Sequence, residues 1–334
     1  MTVVVDIHAH HFPEGLPDLA ATTGDNRWPS LVVGDEPRFM RGSELFRKVR
    51  PVAYDAVERV AELDAAGVDH QVISPVPVTL VDWAPAALAA EFLAAQNDGL
   101  AAAAAGSNGR LLALGALPLQ DVDLAIAEMS RCRQMGMVGI EITAMVDGRE
   151  LDDPSFLPFW EVAESEGVPI FIHPAHQATT IRRTGQPYEF GIGMHTDTAL
   201  AAAALVYGGV LDRHPDLRVA LSHGCGSFAW THPRLRYMAA RMSKNADEGA
   251  RLDALVKHLW VDALVFDPGV IDVLVQRFGA DHVMYGTDHP FLPEGFEGPR
   301  AVLVEALESG STGSSALHDG CMGANAMKFL GLDS

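Results

Sequence analysis

Short apolar segments alternate with longer segments of mixed polarity along most of this 334-residue chain. The short segments favour strands, and several of the longer ones begin at helix-start residues such as Asp121 and end near glycines such as Gly67. This alternation is typical of parallel strands that are joined by crossover helices. The predicted strands are Val3–His8, His70–Ser74, Leu111–Leu117, Val138–Ile142, Pro169–His173, Leu217–His223, Leu259–Leu264 and Val283–Asp288. The predicted helices are Asp55–Ala66, Pro85–Ala105, Val122–Met135, Phe156–Glu166, Thr198–Arg213, Pro268–Phe278 and Pro299–Leu307.

Eight strand–helix units in a chain of this length predict a closed (β/α)8 barrel rather than an open sheet. No linker rich in proline, glycine or serine divides the sequence, so we expect one domain over residues 1–334. Two long segments interrupt the rhythm: an irregular insert at Gly24–Val49 and a second segment at Gln177–Gly193. Both follow the carboxyl end of a predicted strand, which is the face where barrel enzymes build their sites, so we expect them to cover the site.

Composition narrows the classes of partner. Acidic residues number 44 against 24 basic ones, and the resulting net charge of −20 disfavours nucleic acid or an anionic membrane as a partner. A small anionic substrate stays open, because a few local arginines can dominate a pocket. The three cysteines are scattered, which fits a reducing compartment, and the N-terminus has neither a basic leader nor an apolar run of bilayer length. The sequence therefore predicts a cytoplasmic protein.

The tripeptide His8-Ala9-His10 lies at the end of the first predicted strand. Because side chains alternate along a strand, we expect Asp6, His8 and His10 to share one face. Two imidazoles that project together can bind one cation. On its own this tripeptide is a weak signal, since most isolated histidines are packed in the core or lie at the surface.

Other predicted strands end in the same kind of residue. His173 ends the fifth strand, His223 the sixth and Asp288 the eighth. The carboxyl ends of barrel strands converge on one axial cavity, so these residues predict a metal site at that end of the barrel.

These strand-end residues resemble the pattern of the amidohydrolase superfamily. Glu141 ends the fourth predicted strand and no lysine lies beside it. The carbamylated lysine of the binuclear members therefore has no candidate, and we predict a mononuclear site. The stretches SELFRKVR, ELDAAGVDHQVIS, SHGCGSFAWTHPR, VDALVFDP and GTDHPF further resemble the group of α-amino-β-carboxymuconate-ε-semialdehyde decarboxylases, over nearly the whole chain.

The resemblance implies an active site with one divalent ion, zinc in the first instance, although the same donors also suit manganese. The implied ligands are His8, His10, His173 and Asp288, together with a water molecule. His223 would act on that water as general acid and base, and a zinc-bound water can have its pKa lowered to about 7. Asp288 is a second candidate for relaying the proton.

Two arginines match the substrate-binding arginines of that group. Arg47 lies in FRKVR and Arg234 in FAWTHPR, and an arginine fork suits a carboxylate. The resemblance implies a homodimer in which Arg234 reaches the neighbouring active site, and a small carboxylated substrate. The sequence departs from the group where the substrate would be held: Ala175 and His176 replace a tryptophan and an aspartate, and Phe190 replaces a lid tryptophan.

We therefore predict a metal-dependent, oxygen-independent decarboxylase of a small unsaturated or aromatic carboxylic acid. The first alternative is a metal-dependent hydrolase of a lactone or an amide, because the same activated water could attack a carbonyl group. The second alternative is a metal-binding protein without catalytic activity.

Overall fold

A barrel of eight parallel strands forms the centre of the molecule, in a computed structural model that describes residues 3–175, 181–309 and 315–332. The predicted barrel and its strand number are confirmed. Hydrogen bonds from the first strand to the segment after the last, such as His10 N to His289 O at 2.8 Å, close the circle. In spatial order the strands are β1 (Val5–His11), β5 (His70–Pro75), β6 (Leu111–Ala116), β7 (Gly139–Thr143), β8 (Ile170–His173), β9 (Val219–Leu221), β10 (Leu259–Asp262) and β11 (Val283–Met284).

Helices surround the barrel, and side-chain caps fix several of their starts. Asp55, Asp121 and Asp267 each accept backbone N–H groups in the first turn of the helix that follows, as the sequence predicts for such residues. The larger helices are α2 (Ala56–Ala66), α3 (Ala86–Ala105), α4 (Val122–Gln134), α5 (Leu157–Ser165), α7 (Met194–Tyr207), α9 (Phe228–Met242), α10 (Glu248–Val256), α11 (Pro268–Phe278) and α12 (Glu297–Ser309). The shorter ones are α1 (Leu19–Thr23), α6 (Gln186–Tyr188), α8 (Val210–Arg213), α13 (Ser315–Asp319) and α14 (Asn325–Leu330).

The structure differs from the predicted elements in three places. Neither α9 nor α10 was predicted. In α9, large apolar residues such as Trp230 and Met242 face outward, so the sequence lacks a clear apolar stripe on one face of the helix. The single predicted helix Thr198–Arg213 is divided at Gly208 and Gly209 into α7 and α8. The first insert, predicted to be irregular, contains an antiparallel sheet of β2 (Pro29–Val32), β3 (Arg38–Arg41) and β4 (Glu44–Lys48).

The end of the barrel where the strands begin is filled with apolar side chains. One cluster takes residues from most strands, and among them Val72, Leu114, Phe171 and Met284 are fully buried. The histidines that end β1 and β8 lie at the other end of the barrel axis. None of the helices in the described part of the chain combines the length and apolar character needed to cross a bilayer.

Candidate metal centre and substrate cavity

A β-bulge in β1 directs His8 into the barrel. The register with β5 shifts between Asp6 and Ala9, so that strand alternation is broken there. Ile7 packs in the apolar cluster inside the barrel, whereas Asp6 accepts hydrogen bonds from Gln71 and the Thr287 hydroxyl group. The prediction that Asp6 shares a face with His8 and His10 is therefore wrong, because the bulge rotates the chain between Asp6 and His8.

Three imidazoles meet at the carboxyl end of the barrel. His8, His10 and His173 are buried and offer nitrogen atoms that all lie within 4.8 Å of one another. The Nε2 atoms of His8 and His10 are 3.2 Å apart. Asp288 adds a carboxylate oxygen, Oδ1, at 3.2 Å from His10 Nε2 and 3.9 Å from His8 Nε2. The four predicted ligands are thus brought together.

The opposite ring nitrogen of each histidine is occupied. His10 Nδ1 lies 2.7 Å from the carbonyl oxygen of Pro75, and His173 Nδ1 lies 2.7 Å from that of Pro174. His8 Nδ1 lies 2.6 Å from Asp262 Oδ2. Each Nδ1 therefore carries the proton in the neutral ring, and the Nε2 lone pairs face one another. Converging lone pairs beside a carboxylate repel unless a cation lies among them, so this donor set fits a divalent metal ion.

Asp262 connects the metal cluster to His223. Its Oδ2 atom lies 2.6 Å from His8 Nδ1 and accepts the backbone N–H of His223 at 2.9 Å, and its Oδ1 atom accepts the backbone N–H of Gly224 at 2.9 Å. Burial opposes ionisation of Asp262, but the contacts with His8 lower its pKa. A Cβ atom at Gly286 would lie 2.9 Å from His8 Cβ and 3.0 Å from Asp262 Cβ, so only glycine allows this close packing.

His223 lies in a strained turn rather than at the end of a strand. β9 ends at Leu221, two residues before His223, where the sequence predicted the end of the strand. His223 and Cys225 both have positive φ angles. Such backbone costs about 1–3 kcal/mol per residue and is typical of functional sites. The turn brings His223 Nε2 to 3.2 Å from His173 Nε2. Burial lowers the pKa of His223 to about 3, so its ring is neutral at pH 7 when no metal is bound.

Asp288 also departs from its predicted strand. β11 ends at Met284, and Asp288 has a φ angle of 55° in the segment that follows. Its backbone N–H donates to His8 O at 2.8 Å, which fixes the carboxylate against the imidazoles. Burial opposes its ionisation, but the contact with His10 lowers its pKa, so Asp288 is a carboxylate at neutral pH.

Glu141 is a buried carboxyl group beside this cluster. It lies on β7, its side chain is fully buried, and neither of its oxygens makes a hydrogen bond of ordinary geometry within the described chain. Burial raises its pKa to about 8, an effect that nearby Ser74 and His8 only partly offset. Burial therefore favours the protonated form of Glu141 at pH 7 in the metal-free protein.

A cavity of about 220 Å³ opens above the imidazoles. His173, His223 and Asp288 form its floor, and Arg47 lies in its wall with the guanidinium carbon 4.7 Å from the ring centre of Phe291. Phe190 also lines the cavity, as predicted for a substrate-binding residue. The remaining wall is largely apolar and includes Phe46, Val76, Val78, Met194, Phe266 and Leu292.

The structure does not bring Arg234 into the cavity of its own chain. Arg234 lies on α9, where its side chain is exposed. Phe190 belongs to the described part of the second long segment, whereas His176 and the start of that segment at Gln177 lie outside the described residues.

Two polar residues of the site, Asp262 and His195, were not predicted from the sequence. Asp262 is an acidic residue at the end of the apolar strand LWVD, and the strand-end rule could have identified it. His195 lines the cavity 5.8 Å from His223 between ring centres, and it lies on a helix, where no strand-end signal points to it.

The sequence and the fold of this chain are both similar to those of known proteins. Residues 5–332 match the family described as amidohydrolase. The 2-amino-3-carboxymuconate-6-semialdehyde decarboxylase of Dictyostelium discoideum is 33% identical to this chain, over 98% of it and 92% of the relative. The crystal structure of Metarhizium anisopliae IDCase superimposes with a TM-score of 0.82 at 23% identity, covering 99% of this chain and 98% of that one. A dihydroxybenzoic acid decarboxylase of Polaromonas sp. JS666, with bound manganese and the inhibitor 2-nitroresorcinol, superimposes with a TM-score of 0.73 at 20% identity, covering 100% and 98% of the two chains.

Proposed function

The chain belongs to the amidohydrolase family, and we propose that it is a metal-dependent, oxygen-independent decarboxylase of a small unsaturated or aromatic carboxylic acid. The observation that carries this proposal is the arrangement of His8, His10, His173 and Asp288 beside a neutral His223, at the floor of a cavity that contains an arginine. The relatives named above as decarboxylases support the same reaction class.

We assign one divalent ion to the four ligands of the cluster. When bound, the ion would polarise a water molecule or a substrate oxygen. Three imidazoles and one carboxylate suit zinc, which is our first choice, while the manganese in the Polaromonas protein makes that metal the alternative.

His223 is the group that we assign to proton transfer. Loss of carbon dioxide leaves an electron pair on carbon, and a proton must be delivered there. His223 lies at the cavity floor, with its Nε2 atom 3.2 Å from His173 Nε2, so its imidazole is placed to take up a proton and return it there. Asp288 is ionised and lies against His10, which suits metal binding better than proton delivery.

Arg47 supplies positive charge in an otherwise largely apolar wall. Its guanidinium group lies over Phe291, which in turn stacks on His10 at 5.7 Å between ring centres. A carboxylate held by Arg47 would therefore lie next to the metal cluster. The volume of about 220 Å³ fits a compact acid, since it is below the range of about 300–1,000 Å³ that is usual for larger ligands. Phe190 provides an aromatic surface for the substrate skeleton.

A homodimer is part of the proposal. Trp230 and Met242 on α9 are each 82% exposed, and Tyr237 of the same helix is 56% exposed. Such apolar exposure is typical of a surface that a partner covers. Arg234 lies on this helix, and we propose that it enters the cavity of a second copy of the chain. The buried, unpaired thiols of Cys132, Cys225 and Cys321 suit a reducing compartment, and we propose the cytoplasm.

The decisive experiment offers acids to the zinc-loaded protein. α-Amino-β-carboxymuconate-ε-semialdehyde and 2,6-dihydroxybenzoate are incubated separately, and both substrate absorbance and released carbon dioxide are followed. We expect carbon dioxide from at least one acid, with little or none from His223→Ala. His258→Ala is the matched control, because His258 is exposed, does not line the cavity, and has Nδ1 3.2 Å from Pro215 O. Full metal loading without carbon dioxide from either acid would contradict the substrate class, and hydrolysis of a lactone instead would contradict the reaction.

The shared active site has its own test. Arg234→Ala and His223→Ala proteins are each expected to be nearly inactive, and mixing them should restore up to about a quarter of wild-type activity through mixed dimers. Dimers that exchange subunits without any recovery would show that Arg234 serves its own chain or none.

A further inference from the structure

The cavity wall contains two polar side chains outside the metal cluster and His223. Among the described residues that line it, these are Arg47 and His195, and the rest of the wall is apolar. Arg47 is accounted for by the carboxylate of the substrate. His195 has no role in that scheme, although a polar group in an apolar binding wall usually fixes orientation and specificity.

Arg47 and His195 lie on opposite sides of the metal cluster. His10 and His223 each contact both His8 and His173 at about 5 Å between ring centres, so they flank this pair from two sides. Arg47 is connected to the His10 side through Phe291. His195 lies against His223, with ring centres 5.8 Å apart. A molecule held by Arg47 over the cluster therefore points its far end toward His195.

The backbone holds His195 firmly in this position. It lies in the first turn of α7, and its carbonyl oxygen accepts the N–H of Ser227 at 3.2 Å. The chain passes so close to Gly226 that a Cβ atom there would lie 2.1 Å from His195 O. The helix that carries His195 is thus packed directly on the turn that carries His223, which places the two rings side by side in the cavity wall.

The imidazole of His195 is available for hydrogen bonding to a ligand. Neither of its ring nitrogens bonds to another residue in the described part of the chain, and the side chain is partly exposed to the cavity. Burial lowers its pKa, so the ring is neutral at pH 7 and offers one N–H donor and one nitrogen acceptor.

We propose that His195 is a specificity-determining residue that hydrogen-bonds to a hydroxyl or carbonyl group on the substrate skeleton, on the side away from the carboxylate held by Arg47. This inference rests on the proposed function and adds to it the residue that would select acids carrying a further oxygen substituent on the skeleton. An acid without that substituent would fit the apolar wall but leave the imidazole unpaired, which costs binding free energy.

The test measures binding rather than turnover. Isothermal titration of the zinc-loaded protein compares 2-hydroxybenzoate with 2,3-, 2,4-, 2,5- and 2,6-dihydroxybenzoate, which place the additional hydroxyl group at each ring position. One neutral hydrogen bond should make at least one isomer bind about three- to tenfold more tightly than 2-hydroxybenzoate. In His195→Phe this preference should fall to about one, while the affinity for 2-hydroxybenzoate stays within about twofold of wild type.

Further variants separate this role from a structural one. His195→Gln retains a donor and should keep part of the preference. Arg47→Gln should weaken all the acids alike and leave the preference intact. His258→Phe is the matched control and should change neither quantity, and zinc content is measured for every variant.

Each outcome has a defined meaning. A preference that survives in His195→Phe, or a wild-type protein that prefers no isomer, overturns the role of His195. Equal weakening of all the acids in His195→Phe does so too, because it indicates general damage to the site. If the protein releases carbon dioxide from an acid, but the preference for a dihydroxybenzoate isomer is the same in His195→Phe as in the wild type, only this inference fails. If the wild type neither binds nor decarboxylates any acid, the proposed function fails and this inference fails with it.

Discussion

Replacing Asp262 by asparagine should damage metal binding and the catalytic turn at once. The carboxylate faces four donors: Oδ2 lies 2.6 Å from His8 Nδ1 and 2.9 Å from His223 N. Oδ1 accepts from Gly224 N at 2.9 Å and from Leu264 N at 3.1 Å. An asparagine has nearly the same volume, but its amide nitrogen must face one of these two pairs of N–H donors. Two hydrogen bonds are therefore lost in either orientation of the amide.

The size of the effect follows from these contacts. Hydrogen bonds to a charged group contribute about 1.5–3 kcal/mol each, so Asp262→Asn should lower the free energy of unfolding by about 3–6 kcal/mol, toward the lower value if the turn relaxes. Loss of the carboxylate behind His8 should also weaken metal affinity by about 10–100-fold, as is usual when the partner of a ligating histidine is removed. That range corresponds to about 1.4–2.8 kcal/mol.

Two assays separate these effects. Zinc affinity is measured at pH 7.5 by competition with a chromogenic chelator, and urea unfolding of the metal-free protein gives the stability. Asp253→Asn is the matched control, because Asp253 also contacts a buried histidine, with 3.0 Å between its Oδ1 and His232 Nε2, but it does so between α9 and α10. That control should leave zinc affinity within about twofold of wild type. If folded Asp262→Asn binds zinc as tightly as the control does, the carboxylate does not support the site and the reasoning is refuted.

Three more predictions follow from single residues. His223→Ala should lower kcat by about 10²–10⁴-fold with zinc content unchanged by elemental analysis, and a variant that loses its zinc would instead make His223 a ligand. Arg47→Lys should raise KM by about tenfold while kcat changes little, because lysine keeps the positive charge but cannot form two parallel hydrogen bonds to a carboxylate. A tenfold fall in kcat with KM unchanged would instead place Arg47 in the chemical step. Glu141 has a folded pKa of about 8 against an ordinary 4.5, so its ionisation favours unfolding and metal-free stability should fall by up to about 1.4 kcal/mol per pH unit between these values. Glu141→Gln should remove this contribution in urea unfolding at pH 5 and pH 8, and an identical pH slope in both proteins would contradict it.

The sequence by itself determined the barrel and most of the candidate metal ligands. Strand and helix patterns are local properties, so the eight strands could be predicted with ends displaced by a few residues. Because the barrel brings the ends of its strands together, His10 and His173 could be assigned to one site before any distance was known. Arg47 and Phe190 were identified by resemblance, and both line the cavity.

Only the tertiary structure decided how these side chains are held. The bulge that separates Asp6 from His8 depends on pairing with β5, which strand alternation does not encode. Asp262 and His195 act on the site from a neighbouring strand and from a helix, and their roles depend on contacts with residues distant in sequence. Burial likewise sets the protonation of Glu141, since the same side chain at the surface would be ionised at pH 7. Local patterns fix the eight barrel strands and most of the larger helices, whereas register, burial and long-range hydrogen bonds arise only when the barrel closes.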